Sequence, residues 1–98
     1  MVKLTKQAHN LHRLELDDIT IWFSYETPIA FEATVWEVVE NHPDATHDKV
    51  IKDAKEVFYI TKNIWSSTTG KHLNMINPDR SIRIDNHEFI KLLTEALE

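Results

Sequence analysis

Apolar and polar residues alternate along the first third of the chain, and this pattern predicts strands. Residues 12–16 alternate, and residues 19–25 place apolar side chains on one face and mostly polar ones on the other. Asp17 and Asp18 lie between these stretches and predict a hairpin turn, although the glycine usual in such turns is missing. Residues 1–10 show little pattern, so we expect a loose or short helical lead-in.

Two further strands follow from the same alternation. Pro28 forces the residue before it out of helical geometry, which places a turn at residues 26–28 and a third strand at residues 29–33. Residues 56–62 alternate as well, and both of their faces carry apolar side chains. A strand that is apolar on both faces is expected in the middle of a sheet.

The segment between these strands gives conflicting signals. Thr34 has a glutamate three residues later, which is the spacing of a capping box, and the apolar residues around them would form a helical stripe. A helix there would stop at residues 41–43, and a second short helix would cover residues 47–55. The β-branched content of residues 34–39 instead favours a long β-arm. We favour the helical interpretation, which makes residues 33–55 an inserted segment.

Two helices are predicted in the second half of the chain. Ser66 or Ser67 can act as the N-cap of a short helix that ends near Met75 or Ile76. Asp85 begins the last helix and again has a glutamate three residues later. The apolar residues of this last helix fall on one broad face and are Phe89, Ile90, Leu92, Leu93, Ala96 and Leu97.

Together these elements predict a single α+β domain over residues 1–98. We expect a small antiparallel sheet of three to four strands packed against the C-terminal helix and a short central helix, with the inserted segment at about residues 33–55. The predicted core consists of Leu14, Ile19, Ile21, Phe23, Ile29, Phe31, Phe58, Ile60, Trp65, Leu73, Phe89, Leu92, Leu93 and Ala96.

The densest polar chemistry lies in residues 63–74. They hold the one glycine of the chain, Gly70, and four consecutive hydroxyl residues ahead of it. Helix N-termini attract anions, so this stretch predicts a site for a phosphate or a carboxylate. The candidate ligand-binding residues are Ser66, Ser67, Thr68, Thr69, Lys71 and His72. The structural alternative, which we favour, is that the hydroxyls cap a helix, Trp65 and Leu73 fill the core, and Gly70 allows close packing.

The same stretch carries a family resemblance. It reads Trp65-Ser66-Ser67-Thr68-Thr69-Gly70-Lys71-His72-Leu73-Asn74. This run resembles the signature of an uncharacterised family of small proteins encoded mainly by bacteriophages, and residues 16–31 and 77–89 are similar to other parts of that family. The segment from residue 32 to about residue 55 is longer and more charged than the short turn expected there. The resemblance implies a phage origin and brings no established activity.

Composition narrows the class of protein. With 42% apolar and 28% charged residues, the chain resembles an ordinary soluble domain. It has no apolar run long enough to cross a membrane and no signal-peptide pattern, so we expect no membrane contact and a location in the host cytoplasm. It has no cysteine, which excludes disulfides and thiolate metal sites. A net charge of −5 argues against broad binding to nucleic acid.

Candidate catalytic and metal chemistry is sparse. Residues 42–48 hold two histidines and two aspartates, but their spacing matches no metal motif, so we expect a solvated loop and no metal. The Gly-Lys pair at Gly70 lacks the earlier glycine of a nucleotide-binding loop. Asp17, Asp18 and Asp85 are explained as turn and cap residues. We therefore expect no catalytic residues and no cofactor, and we favour a binding protein over an enzyme.

Aromatic residues supply the candidate partner-binding positions. Trp22 and Tyr25 lie on or beside a strand whose other face already provides core residues, and Trp36 lies in the inserted segment. Tryptophan and tyrosine are preferred anchors at protein interfaces. We expect a small phage-type accessory protein that inhibits or modulates a host protein, such as a defence or nucleic-acid-processing enzyme. A homodimer through the sheet or the insertion is a further expectation. A module that binds a nucleotide signal or a nucleic-acid backbone is the alternative.

Overall fold

The computed structural model describes residues 2–38 and 52–98, which form an α+β fold with a six-stranded mixed sheet and two α-helices. The strands are β1 Lys3–Ala8, β2 Leu11–Glu15, β3 Ile19–Ser24, β4 Thr27–Val38, β5 Lys52–Thr61 and β6 Arg83–Ile84. The helices are α1 Ser67–Ile76 and α2 Asn86–Leu97, and a 3-10 turn covers Arg80–Ile82. The predicted three to four strands understate this sheet, because neither β1 nor β6 has a marked apolar alternation.

The six strands lie side by side in the order in which they occur along the chain. Each of the first five pairs antiparallel with the next, whereas β6 pairs parallel with β5. The prediction of a purely antiparallel sheet is therefore corrected at β6. Since α1 lies between β5 and β6 in sequence, it supplies the crossover that a parallel pair needs.

One face of the sheet is covered by α2 and is called the α2 face here. Ile19 and Ile21 of β3 point to this side, where they form a buried cluster with Phe31 of β4 and with Phe89 and Leu93 of α2. Phe31 contacts Phe89 with ring centroids 5.6 Å apart. Because successive side chains of a strand point to opposite faces, the residues between these positions are directed to the other side of the sheet.

The opposite side, called the α1 face, has its own buried cluster. Leu11, Ala30 and Ile60 from three strands pack against Leu73 of α1, and Trp22 lies against the edge of this cluster. The sheet is thus the middle layer of three, with one helix on each side.

A β-bulge in β4 lets two consecutive residues enter the same core. Trp22 pairs with Ala30, but the next residue of β3, Phe23, pairs with Pro28, so that Ile29 is the extra residue. Ile29 and Ala30 are both fully buried and both belong to the cluster on the α1 face. The bulge therefore fills that core more densely than strict alternation allows.

The N-terminal residues form a strand, so the predicted loose or helical lead-in is wrong. β1 pairs with β2 from Lys3, opposite Glu15, to Ala8, opposite Leu11. It is an edge strand whose side chains are mostly exposed, including Leu4 at 65%. Main-chain hydrogen bonds hold such a strand without a buried face, which is why apolar alternation does not reveal it.

The helical interpretation of the inserted segment is also wrong in the part that the structure describes. β4 continues to Val38, where it pairs with Lys52 at the start of β5. Since the pairing of β3 with β4 begins at Ile19, opposite Ala33, the remainder of β4 runs past the start of β3 with β5 beside it. We call this part the β4–β5 arm. None of its side chains that the structure describes belongs to either buried cluster, so strict alternation is not required there. Residues 39–51, which hold the rest of the predicted helices and the histidine–aspartate loop, lie outside the described residues.

Both predicted helices outside the insertion are confirmed. Ser66 is the N-cap of α1, and its Oγ accepts a hydrogen bond from the backbone N–H of Thr69 at 3.2 Å. Asp85 is the N-cap of α2, but its side chain makes no capping hydrogen bond, so the predicted capping box is not formed. The first turn of α2 is closed instead by the backbone bond from Phe89 N–H to the Asp85 carbonyl at 2.9 Å.

A hydrogen-bonded carboxylate stabilises the turn that leads into β6. Asp79 accepts hydrogen bonds from the Ser81 hydroxyl at 2.6 Å and from the Ser81 backbone N–H at 2.9 Å. These bonds favour the charged form, so the pKa of the Asp79 carboxyl is lowered from its ordinary value, and the nearby positive charge of Arg83 acts in the same direction. Asp79 is thereby explained as a cap of the 3-10 turn.

Most of the predicted core is buried, with one correction. The buried members are Ile19, Ile21, Ile29, Phe31, Ile60, Leu73, Phe89 and Leu93, and the half-buried ones are Leu14, Phe23, Phe58, Leu92 and Ala96. Trp65 is 50% exposed, because it precedes α1 and Leu73 fills the position under that helix. Ile90 and Leu97 are 40% and 52% exposed, so the buried face of α2 is narrower than the predicted one.

We predict that Leu93→Ala lowers the free energy of unfolding by about 2–5 kcal/mol, because it leaves a cavity between α2 and the sheet. Leu93 is 7% exposed, whereas Leu97 on the same helix is 52% exposed. Leu97→Ala is the matched control and is expected to cost less than about 1 kcal/mol. Urea denaturation followed by circular dichroism measures both, and equal losses for the two variants would contradict the proposed packing of α2.

Candidate functional site

The imidazole of His72 lies inside the protein, at the inner side of α1. Its side chain is buried, with 4% of the residue exposed. Its Nε2 lies 2.9 Å from the carbonyl oxygen of His9, and its Nδ1 lies 2.6 Å from Oγ of Ser24. A carbonyl only accepts, so Nε2–H donates to His9, and in the neutral imidazole Nδ1 accepts from the Ser24 hydroxyl. Both ring nitrogens of His72 are thus used within the fold.

These two hydrogen bonds connect α1 to two hairpin turns at one end of the sheet. His9 belongs to the turn between β1 and β2, and Ser24 ends β3 at the turn into β4. The two turns also bind each other, because the Tyr25 N–H donates to the Asn10 carbonyl at 2.7 Å. The turns and the helix therefore form one connected unit.

Two residues of these turns have left-handed backbone conformations. Asn10 has φ of 59° and Tyr25 has φ of 56°. Asparagine adopts this region readily, but an aromatic residue does so at a cost in conformational energy. The hydrogen bonds of the turns and of His72 hold Tyr25 in this conformation.

The outer surface of the two turns is a shallow concavity that we call the tip surface. It has a volume of about 570 Å³ and is lined by Asn10, His12, Tyr25, Glu26 and Thr27. Tyr25 is 52% exposed, and its ring centroid lies 6.3 Å from that of His72. The tip surface therefore presents an aromatic side chain on a backbone that is fixed from beneath.

The contact between Ser24 and His72 has the residue types of a hydrolase pair but not the required surroundings. Ser24 is only 2% exposed, so its hydroxyl is closed to a substrate. The second ring nitrogen of His72 faces a backbone carbonyl, where a catalytic histidine is oriented by a carboxylate. The pair is a structural connection.

The candidate ligand-binding stretch is divided by α1 into inward and outward residues. Ser66 and Thr69 are brought together, with 3.2 Å between their hydroxyl oxygens, and Thr69 is buried. Thr68 is half-buried, and Ser67 and Lys71 are exposed. His72 on the inner side is the sixth member of the set. Capping and packing account for the inward residues, and a phosphate site on the outward ones stays a prediction.

The three candidate partner-binding aromatics do not form one patch. Trp22 is half-buried on the α1 face and makes an edge contact with Phe58, with ring centroids 6.1 Å apart. Trp36 is 63% exposed on the β4–β5 arm. Tyr25 precedes β4 and Trp36 lies near the end of β4, which at about 3.3 Å per residue separates them by roughly 30 Å. Tyr25 and Trp36 therefore belong to two different surfaces.

Sequence reasoning missed Ser24 and His9 as partners of His72. They are 48 and 63 residues away from it in the chain, so no local spacing could associate them. Among the described residues, no group of three or more histidine or acidic side chains is placed to hold a metal ion. Neither α1 nor α2, the α-helices of the described ranges, combines the length and the apolar character needed to cross a membrane.

We predict that His72→Leu lowers the free energy of unfolding by about 2 kcal/mol or more, because it leaves the Ser24 hydroxyl and the His9 carbonyl without their partner. Lys71→Ala, one residue away and exposed, is expected to change it by less than about 0.5 kcal/mol. Thermal and urea denaturation measure both effects. A double-mutant cycle with Ser24→Ala isolates the bond to Nδ1, and additive losses in that cycle would refute it.

We also predict that Gly70→Ala stabilises the protein by about 0.5–1 kcal/mol, because alanine favours the helix and restricts the unfolded chain. A Cβ at this position would lie 3.6 Å from Cγ2 of Ile64, which is an ordinary contact. The glycine is therefore not required for close packing, contrary to the structural alternative considered for this stretch. A lower melting temperature for this variant would restore that alternative.

A comparison with family models, curated proteins and solved structures finds no match to this chain.

Proposed function

We propose that this protein acts by binding another protein through the tip surface. The observation that carries the proposal is Tyr25, an aromatic side chain that is 52% exposed on a left-handed backbone. Backbone strain of this kind is found at sites where the surrounding structure fixes a functional residue. Here the buried hydrogen bonds of His72 supply that fixation.

Rigidity is the reason that this surface suits binding. A partner that docks on a flexible loop must order it, at a cost in free energy that reduces affinity. The two turns of the tip surface are joined to each other by the Tyr25–Asn10 bond and to α1 by His72. A tyrosine presented in this way offers a large contact area with little loss of conformational entropy.

The charge of the chain indicates the kind of partner. Its net charge is −5, and Glu26 lies beside Tyr25 on the tip surface. An acidic protein associates faster with a basic surface than with an acidic one. With the resemblance to phage-encoded proteins, this supports a host protein with a basic binding surface, such as a defence or nucleic-acid-processing enzyme, which the protein would inhibit or modulate.

The test is affinity capture from lysates of several bacterial hosts, with Tyr25→Asn as the critical variant. Asparagine tolerates the left-handed conformation, so this substitution removes the ring without adding backbone strain. Trp36→Ser is the matched control, because it removes an exposed aromatic at the other end of β4. We expect the wild-type chain and Trp36→Ser to retain the same host protein and Tyr25→Asn to lose it.

Two results would contradict the proposal. One is that no host protein is retained by the wild-type chain from any of the lysates. The other is that Tyr25→Asn retains the host protein as well as the wild type does while its circular dichroism and melting temperature are unchanged.

A further inference from the structure

The outer edge of β5 is open over most of its length in the described part of the chain. Its inner edge pairs with β4 from Lys52 to Ile60. Its outer edge pairs with β6 only at Ile60 and Thr61. A strand edge of this kind offers main-chain donors and acceptors to another strand.

The register shows which backbone groups face outward. Lys62 N–H donates to the carbonyl of Ile84 in β6 at 2.8 Å, so residue 62 is directed to the outer side. Because this direction alternates along a strand, Phe58, Glu56 and Ala54 also direct their N–H and C=O groups outward. An added strand would form its hydrogen bonds with these residues.

The charges of β5 indicate what the added strand is. From Lys52 to Glu56 the chain reads Lys-Asp-Ala-Lys-Glu, so charges of opposite sign lie at equal distances on either side of Ala54. If a second β5 pairs antiparallel with Ala54 opposite Ala54, Lys52 comes opposite Glu56 and Asp53 comes opposite Lys55. Each charged position then meets its complement in the other copy.

The neighbouring registers do not have this property. If the two-fold axis lies at residue 55, Lys55 comes opposite Lys55. If the axis lies at residue 56, Glu56 comes opposite Glu56. Like charges directly opposite each other destabilise a strand pair. An axis at Val57 would oppose Ala54 to Ile60, which β6 already occupies. With the axis at Ala54, the Ala54 residues of the two copies form a hydrogen-bonded pair, in agreement with the outward direction of their backbone groups.

Trp36 gains a role in the same arrangement. It lies directly opposite Ala54 across β4 and β5, and it is 63% exposed. Across the joined sheets, one row of residues would consist of Trp36 and Ala54 of one copy followed by Ala54 and Trp36 of the second copy. With about 4.8 Å between strands, the two Trp36 Cα atoms would be roughly 14 Å apart. The small alanines leave room for both indole rings to cover them.

We propose that this protein forms a two-fold dimer by antiparallel pairing of β5 with β5 of a second copy, centred on Ala54. The dimer does not depend on the proposed host partner, because the tip surface lies at the other end of β4. Loss of the dimer and loss of the host partner are therefore separate results. The dimer would hold two tip surfaces that point away from each other.

Cross-linking tests the position of the axis. The chain has no cysteine, so Ala54→Cys introduces a single thiol. A hydrogen-bonded antiparallel pair has Cα atoms about 5.5 Å apart, which lies within the range of a disulfide. We expect Ala54→Cys to form a covalent dimer under mild oxidation, and Ser67→Cys, exposed at the start of α1, to stay monomeric on denaturing gels. Equal cross-linking of the two variants would overturn the proposal.

Charge exchange tests the register, with sedimentation equilibrium of the full chain as the measurement. Glu56→Lys opposes two lysines at two symmetric positions and should weaken the dimer by about tenfold or more. The double variant Lys52→Glu with Glu56→Lys restores opposite charges and should recover wild-type association. A wild-type chain that is monomeric at all concentrations, or a double variant as weak as the single one, would refute the pairing. Circular dichroism confirms that each variant is folded.

Discussion

The pairing of β4 with β5 is the interaction on which the rest of the structure depends. It runs in unbroken register from Ala30 opposite Ile60 to Val38 opposite Lys52. At one end these strands carry residues of both buried clusters, so each helix packs on side chains that this ladder positions. At the other end the same ladder continues as the arm. A single set of main-chain hydrogen bonds therefore supports two cores and a projecting surface.

The side chain of His72 fixes how α1 packs on the sheet that this ladder positions. The helix α1 is short and begins within a hydroxyl-rich stretch, and apolar contacts through Leu73 and Ile76 alone would leave its orientation loosely specified. The imidazole of His72 adds direction, because its two nitrogens require a donor on one side and a carbonyl on the other. Buried polar groups that are fully hydrogen-bonded specify one arrangement among several apolar ones of similar free energy.

The sequence predicts the elements whose side chains pack in the core. It does not predict the elements that are held mainly by main-chain hydrogen bonds. β3 and both α-helices follow from apolar periodicity and from Ser66 as a cap. β1 and the arm do not, since edge and projecting strands need only partners for their backbone groups. The β-branched residues after Ala33 do indicate the arm, whereas the capping-box spacing at Thr34 does not correspond to a helix.

The candidate site shows the same limit. The sequence drew attention to His72 through its neighbours Ser66 to Lys71, and the residue matters, but as a buried connector facing inward. Its partners are distant in the chain, and its environment is a product of the completed fold. Tyr25 was predicted as a partner-binding residue from its place beside a strand, whereas its left-handed backbone is visible only in the structure.

The distance along the chain between His72 and its partners has a consequence for the order of folding. The first four strands are joined by short turns, which close quickly because little chain entropy is lost in each. The bond from His72 to His9 spans 63 residues, so it closes a far longer loop than any of these turns. Tyr25 is thus on a formed turn early in folding but is locked only when α1 docks. The surface that presents it becomes rigid only when this long-range contact has formed, so a chain that lacks α1 would expose the aromatic ring without the geometry around it.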